Sequence, residues 1–205
     1  MIDHIVYTVF DLEEGIRYFA DLLGVTPVFG GYHATRGTKN ALLNLGNGCY
    51  LEILAIDENN TNVAPPRWMG IDLLEQPQVT RWCMATTQLV ASQQVLQAYN
   101  PLLGDIQRGE RTTPAGELLQ WEMTLPLPSP QVEVIPFLID WSRSATHPTN
   151  NLPQQCELQG LQLSHPQPAR IAAVLNGLGF ATQVRPNAVP QIQLSVLGAK
   201  GLVVI

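Results

Sequence analysis

The sequence predicts an α+β fold assembled from tandem β-α-β-β-β units, two complete and a third, shorter unit of βαββ type. Two observations carry this reading. An alternating strand, an amphipathic helix and a glycine stop recur in that order three times along the chain. The stops, Gly24, Gly104 and Gly179, fall 80 and 75 residues apart, and strand-like segments follow each one.

In the first unit the strand is Asp3–Val9 and the helix Asp11–Leu23. Asp11 is a good N-cap, with Glu14 three residues later. Ile16, Phe19, Ala20 and Leu23 fall on one helical face, and Gly24 suits a left-handed C′ position. Strands follow at Thr26–Phe29, Ala41–Leu45 and Cys49–Ile56, the last two joined by the hairpin signal Asn47-Gly48. The second unit repeats the plan with Arg81–Thr87, a helix over Leu89–Leu103, and strands at Ile106–Gly109, Leu118–Leu125 and Val132–Trp141. The third has Leu158–Leu163, a helix over Pro166–Leu178, and segments at Thr182–Arg185, Gln191–Leu197 and Leu202–Ile205. The units therefore span 1–56, 80–142 and 156–205. The stretches 57–79, with Pro65-Pro66 and Trp68-Met69, and 143–155, with His147-Pro148, connect them. A structureless connector of about 20 residues inside a compact fold often serves function.

Composition removes several classes. Of the 205 residues 45% are hydrophobic and 14% charged, the charged share falling below the roughly 25% of typical domains. The deficit is mostly lysine, since only Lys39 and Lys200 occur. With a net charge of −6 and no basic stripe, nucleic acid is not an expected partner. No apolar run approaches the ~18 residues of a membrane span, so no membrane association is expected. Met1-Ile2-Asp3-His4 leads straight into a strand pattern, and the three cysteines (Cys49, Cys83 and Cys156) are scattered without CxxC spacing. Together these point to a cytoplasmic protein with reduced thiols, and to neither a disulfide framework nor a zinc site.

Strand alternation then sorts side chains by face. His4, Val6 and Thr8 share one face of the first strand; Tyr50, Glu52 and Leu54 share one face of Cys49–Ile56. The opposite faces are uniformly apolar and belong under the helices. His4 and Glu52 are thus polar residues set in apolar strands on faces free to line a cleft. An imidazole beside a carboxylate serves metal binding or proton transfer, or else the two are satisfied core residues.

These residues resemble a known family. Asp3-His4-Ile5-Val6-Tyr7 with Asp11-Leu12-Glu13 is similar to the opening of a vicinal oxygen chelate unit, the fold of glyoxalase I and the bleomycin-resistance proteins. Gly30-Gly31-Tyr32-His33, Arg36-Gly37-Thr38, Asn40-Ala41-Leu42-Leu43, Tyr50-Leu51-Glu52-Ile53 and Pro136–Trp141 resemble the glyoxalase-like domain subfamily in particular. The resemblance implies paired units curling mixed sheets around a cleft, with metal ligands from the first and fourth strands of each unit. By position it assigns His4, Glu52 and Asp140 as ligands of a divalent ion, with Glu52 as general base, and puts Trp82 where a histidine would sit. His33 or His147 could supply the missing nitrogen. Arg36 and Thr38, with His33, Tyr50 and Trp82, are candidate substrate contacts, and Arg111-Thr112-Thr113 resembles the corresponding turn of the second unit. Tyr50, Trp82, Trp121 and Trp141 are candidate aromatic walls, with core packing favoured for Trp121 and Trp141, and His165 is assigned to helix capping or a structural role. Two functions stay open: a metal-dependent isomerase or lyase acting on vicinal oxygens of a small molecule, and a metal-free protein that sequesters one. Trp82 at a ligand position favours the second. A third reading is an interaction protein using residues 57–79. Unit pairing in such folds makes a homodimer an expectation by analogy.

Overall fold

The computed structural model describes residues 1–205. Twelve strands and three α-helices occur in the order β1 (Ile2–Thr8), α1 (Leu12–Leu23), β2 (Val28–His33), β3 (Thr38–Asn44), β4 (Tyr50–Ile56), β5 (Gln78–Ala85), α2 (Leu89–Tyr99), β6 (Ile106–Thr112), β7 (Leu118–Thr124), β8 (Phe137–Asp140), β9 (Glu157–His165), α3 (Pro168–Gly177), β10 (Val184–Pro186), β11 (Gln191–Gly198) and β12 (Gly201–Val204). Local chemistry sets the boundaries. Asp11 accepts the Glu14 backbone N–H at 2.8 Å and so caps α1, which ends at Gly24 with φ 72°. Asn47 and Gly48 both have positive φ, 51° and 72°, the geometry a tight turn into β4 requires.

β1 through β8 form one sheet in the order β2-β3-β4-β1-β5-β8-β7-β6. The two units are therefore arranged symmetrically about the β1–β5 pair. Each first strand runs parallel to the fourth strand of its own unit, β1 to β4 and β5 to β8, and β1 and β5 meet antiparallel. The sheet curls until its edges approach, and Arg111 on β6 donates to the Gly30 carbonyl on β2. β9–β12 form a separate four-stranded sheet in the order β10-β9-β11-β12. This third unit carries three strands after its helix, yet its first strand lies between the second and third rather than beside the fourth. It is not a topological copy of the other two.

Two apolar clusters follow from the curl. The larger, on the convex side, joins Ile5, Leu51 and Ile53 of the main sheet to Phe19, Leu96, Ile171 and Leu175 of the helices and to Ile192, Leu194 and Val196 of the small sheet. The third unit is thereby fastened within the chain. Leu158 N–H donates to the Leu45 carbonyl at 2.9 Å and Lys200 N–H to the Leu23 carbonyl at 3.2 Å. The smaller cluster lies on the concave side and includes Val6, Leu54, Cys83, Phe137 and Ile139, with Met69 and Ile71 from the 3-10 turn Trp68–Leu73. No helix is long and apolar enough to cross a membrane.

Candidate functional site

The concave side holds a cavity of about 60 Å³. β1 and β4 supply its polar floor, because His4 and Glu52 sit on the concave faces of adjacent parallel strands. β3 adds Asn40, and the end of β2 adds His33. All four are at least largely buried.

The hydrogen bonds fix which atoms carry protons. His4 Nδ1 lies 2.6 Å from Asp3 Oδ1. Burial alone would raise the Asp3 pKa, but hydrogen bonds from His147 and His4, with their charge, overcome that and draw it down to about 2. Asp3 is therefore an acceptor, so His4 donates from Nδ1 and turns Nε2 toward Glu52 Oε2 at 3.8 Å. Trp141 Nε1 donates to Asp3 Oδ2 at 2.9 Å, and His147 Nε2 lies 3.3 Å from that oxygen. Asp3 thus holds three rings, His4 at Oδ1 and Trp141 and His147 at Oδ2, and Tyr50 stacks on His4 with ring centroids 4.7 Å apart. His33 Nδ1 meets Thr38 Oγ1 at 3.0 Å, and its Nε2 lies 3.8 Å from Glu52 Oε1. Burial pushes the His33 pKa down to about 4, so its ring is neutral near pH 7. Asn40 Nδ2 donates to Glu52 Oε1 at 2.6 Å, while Asn40 Oδ1 is buried without a partner.

His4 Nε2 and His33 Nε2 face the two oxygens of Glu52, and Asn40 Nδ2 lies between Oε1 and His33 Nε2, at 2.6 and 3.4 Å. Two histidines and a carboxylate with open space beside them form a donor set that fits a divalent ion such as iron(II) or manganese. The Asp3–His4 bond is the support that metal-binding histidines usually have. A different group, Asp3, His4 and Cys83, is the one whose three ligand atoms all lie within 4.8 Å of one another, whereas His4 and His33 approach different oxygens of Glu52. Its chemistry fits an ion less well. Asp3 is already filled by donors, and burial, then the charges of Asp3 and Glu52, push the Cys83 thiol far above its ordinary pKa.

The structure does not bring every residue singled out in the sequence to this site. Asp140 does not line the cavity: Phe137, Ile139 and Trp141 do, and by alternation Asp140 takes the other face of β8, where it accepts the Ser142 N–H at 2.8 Å. Trp82 also faces away. The register pairs His4 with Cys83 and Ile5 with Trp82, so Cys83 shares the concave face of His4. Trp82 is wholly buried on the convex side, donating to the Val134 carbonyl at 2.8 Å and packing on Phe180 of the third unit at 4.9 Å. The indole fills no ligand space. Conversely Trp121 and Trp141, expected in the core, line the cavity as a tilted pair 5.2 Å apart. Thr38 is buried behind His33, while Arg36 and Tyr50 do line the cavity. His147 reaches Asp3 rather than the cavity floor, and His165 Nδ1 accepts the Gln167 N–H at 2.9 Å just before α3.

Two contributors, Asn40 and Asp3, were not legible as site residues, and Arg111 was legible only as part of a turn. Asn40 sits on β3 because that strand begins at Thr38, three residues before the apolar run at Ala41. Arg111 lies on β6, which extends past Gly109 to Thr112. Asp3 takes part only because β1 bulges between Ile2 and His4.

A glyoxalase-like domain family model matches residues 2–179, which leaves most of the third unit's strands outside the match. Among solved structures, a hypothetical protein from Staphylococcus aureus shares 16% identity, covering 98% of this chain and 92% of its own, with a TM-score of 0.70. Methylmalonyl-CoA epimerase from Mycobacterium tuberculosis aligns at 19% identity over 68% of this chain and 86% of its own, with a TM-score of 0.43. No curated protein matches the sequence. The family match spans most of the chain, and the paired β-α-β-β-β units and their curled sheet agree with it. The chain belongs to the glyoxalase-like domain family.

Proposed function

We propose that this protein is a small-molecule enzyme that isomerises or cleaves a substrate by moving a proton next to vicinal oxygens. The observation that carries the reading is the buried Glu52 carboxylate set between His4 Nε2 and His33 Nε2 at 3.8 Å each, on the floor of a walled cavity. His4, His33 and Glu52 would hold a divalent ion. Such an ion, when bound, polarises substrate oxygens and so acidifies a neighbouring C–H. Asn40 keeps Glu52 Oε1 engaged, which leaves Oε2 as the oxygen that accepts and returns the proton. Asp3 fixes the His4 ring and its tautomer, and Thr38 does the same for His33. Trp68, Trp121 and Trp141 exclude water above this floor.

The test is to load metal-stripped protein with manganese or iron(II), count bound ions, and follow solvent deuterium into a panel of small 2-oxo and 2-hydroxy acids by NMR. Wild-type protein should bind one ion and exchange a C–H. Glu52→Gln and His4→Ala should lose both while keeping the wild-type circular dichroism. Unchanged binding and exchange in both variants would refute the assignment. One observation favours a metal-free sequestering protein instead: the second unit presents Phe137 and Ile139 to the cavity and no carboxylate from β8. Tight ligand capture with neither ion nor exchange would support that alternative.

A further inference from the structure

The cavity has a second charged feature beyond its polar floor. Arg111 is 6% exposed and lines the cavity, and its one hydrogen bond runs from Nη1 to the Gly30 carbonyl. A guanidinium carries five N–H donors. Arg81, the other deeply buried arginine, shows what a structural guanidinium looks like in this fold. Its two terminal nitrogens are taken by the carbonyls of Thr80, Leu127, Ser129 and Gln131, and only its Nε is left without a partner. Arg67, Arg108 and Arg143 pair with Asp72 or Glu122. No carboxylate lies within 4.0 Å of Arg111 or of Arg36. Arg36 stands over the Trp68 ring at 4.5 Å and donates to Gln107 Oε1 at 2.8 Å, so the turn between β2 and β3 is tied across to β6 above the cavity.

We propose that the ligand of this cavity carries a carboxylate, gripped by Arg111 and covered by Arg36. The proposal rests on reading the cavity as a small-molecule site and names the class of molecule it takes. In the metal-free cavity the guanidinium groups of Arg111 and Arg36 outnumber the inward carboxylate of Glu52 by one, since the Asp3 carboxylate behind the floor is already held by His4, Trp141 and His147. Glu110, also at the cavity, is exposed and engaged by Gln120 at 3.3 Å. A monoanion is therefore matched where a dianion such as inorganic phosphate would add repulsion from Glu52. The planar fork of Arg111 suits a carboxylate's two oxygens. Trp121, Met123 and Trp141 offer apolar contact to a short carbon chain.

The experiment is calorimetric titration of protein stripped on a chelating resin, with 2-oxobutyrate, its neutral amide, and inorganic phosphate as probes. Removing metal keeps an ion from binding the probe. The acid should bind at least tenfold more tightly than the amide or phosphate. Arg111→Gln and Arg36→Gln should each weaken the acid, Arg111 by tenfold or more, and leave the amide unaffected. Arg111→Lys, which keeps the charge and one bond to Gly30, should recover part of the loss; it and Arg36→Gln carry the test should Arg111→Gln fail to fold. Glu52→Gln should bind the acid several-fold more tightly, even though it abolishes proton exchange, which separates this proposal from the catalytic one. Equal affinity for acid and amide, a preference for phosphate, or wild-type affinity in the arginine variants would overturn it.

Discussion

Replacing Asp3 by asparagine tests both how the site is held and how it is charged. Asp3 is 3% exposed and accepts from His4, Trp141 and His147. Burial opposes its ionisation, yet the bonds from His147 and His4 bring its pKa from 3.8 down to about 2. A folded-state pKa below the unfolded value means that ionised Asp3 stabilises the fold above the unfolded pKa. That contribution is lost as pH falls through the folded one. A gap of nearly two pKa units corresponds to about 2 kcal/mol at pH 7, since one unit is about 1.4 kcal/mol. Asparagine removes the charge and can turn its amide donor toward His4, which moves the imidazole proton to Nε2 and takes away its lone pair. Urea unfolding at pH 7 should show Asp3→Asn destabilised by about 2–3 kcal/mol, since a hydrogen bond to a charged group contributes roughly 1.5–3 kcal/mol. The deficit relative to wild type should shrink by about half near pH 3. Metal binding should fall with it at pH 7. An equal deficit at both pH values, or a stable variant that binds metal normally, would refute the account of Asp3 as an ionised clamp on His4.

Three further outcomes follow from where side chains point. Trp82→Ala should cost about 3–5 kcal/mol in chemical denaturation, because it empties a fully buried site between β5 and Phe180, and ligand affinity in the folded variant should stay within twofold of wild type. Asp140→Asn should leave metal content and ligand affinity unchanged in direct assay, since Asp140 serves only the Ser142 N–H. Gly70 has φ 66°, and an added Cβ would sit 2.7 Å from the Ser129 Cα. Gly70→Ala should therefore lower stability by at least about 1–3 kcal/mol and shift the fluorescence of neighbouring Trp68 as the 3-10 turn is displaced from the cavity.

The unit plan was legible because its signals are local. The Asp11 cap, the Gly24 stop, the Asn47-Gly48 turn and the alternating apolar positions each depend on a few neighbouring residues, whereas the second helix ends at Tyr99, short of the expected stop at Gly104, because the chain turns at Asn100-Pro101. His4 and Glu52 were legible for the same reason, being polar residues at the correct parity within apolar strands. Trp82 and Asp140 were assigned by likeness to the family's ligand positions, and such likeness does not say which side chains face the cleft until partner strand and register are known. A one-residue offset reverses every side chain. The bulge that breaks the β1–β5 register between Ile2 and His4 is such a tertiary decision.

The sequence by itself determined the repeated units, the apolar faces that bury under the helices, and the pairing of an imidazole with a carboxylate on the opposite faces, because each follows from periodicity along a short stretch. Tertiary structure alone decided that Cys83 and not Trp82 faces His4, and that Asp3 and His147 converge behind the site from opposite ends of the β-units. It also decided that Asn40 and His33 complete the surroundings of Glu52, and that Arg111 is left buried without a carboxylate. These outcomes depend on strand register and on the curl that brings β2 to β6, which join residues about 80 positions apart in the chain and so leave no periodic trace in it.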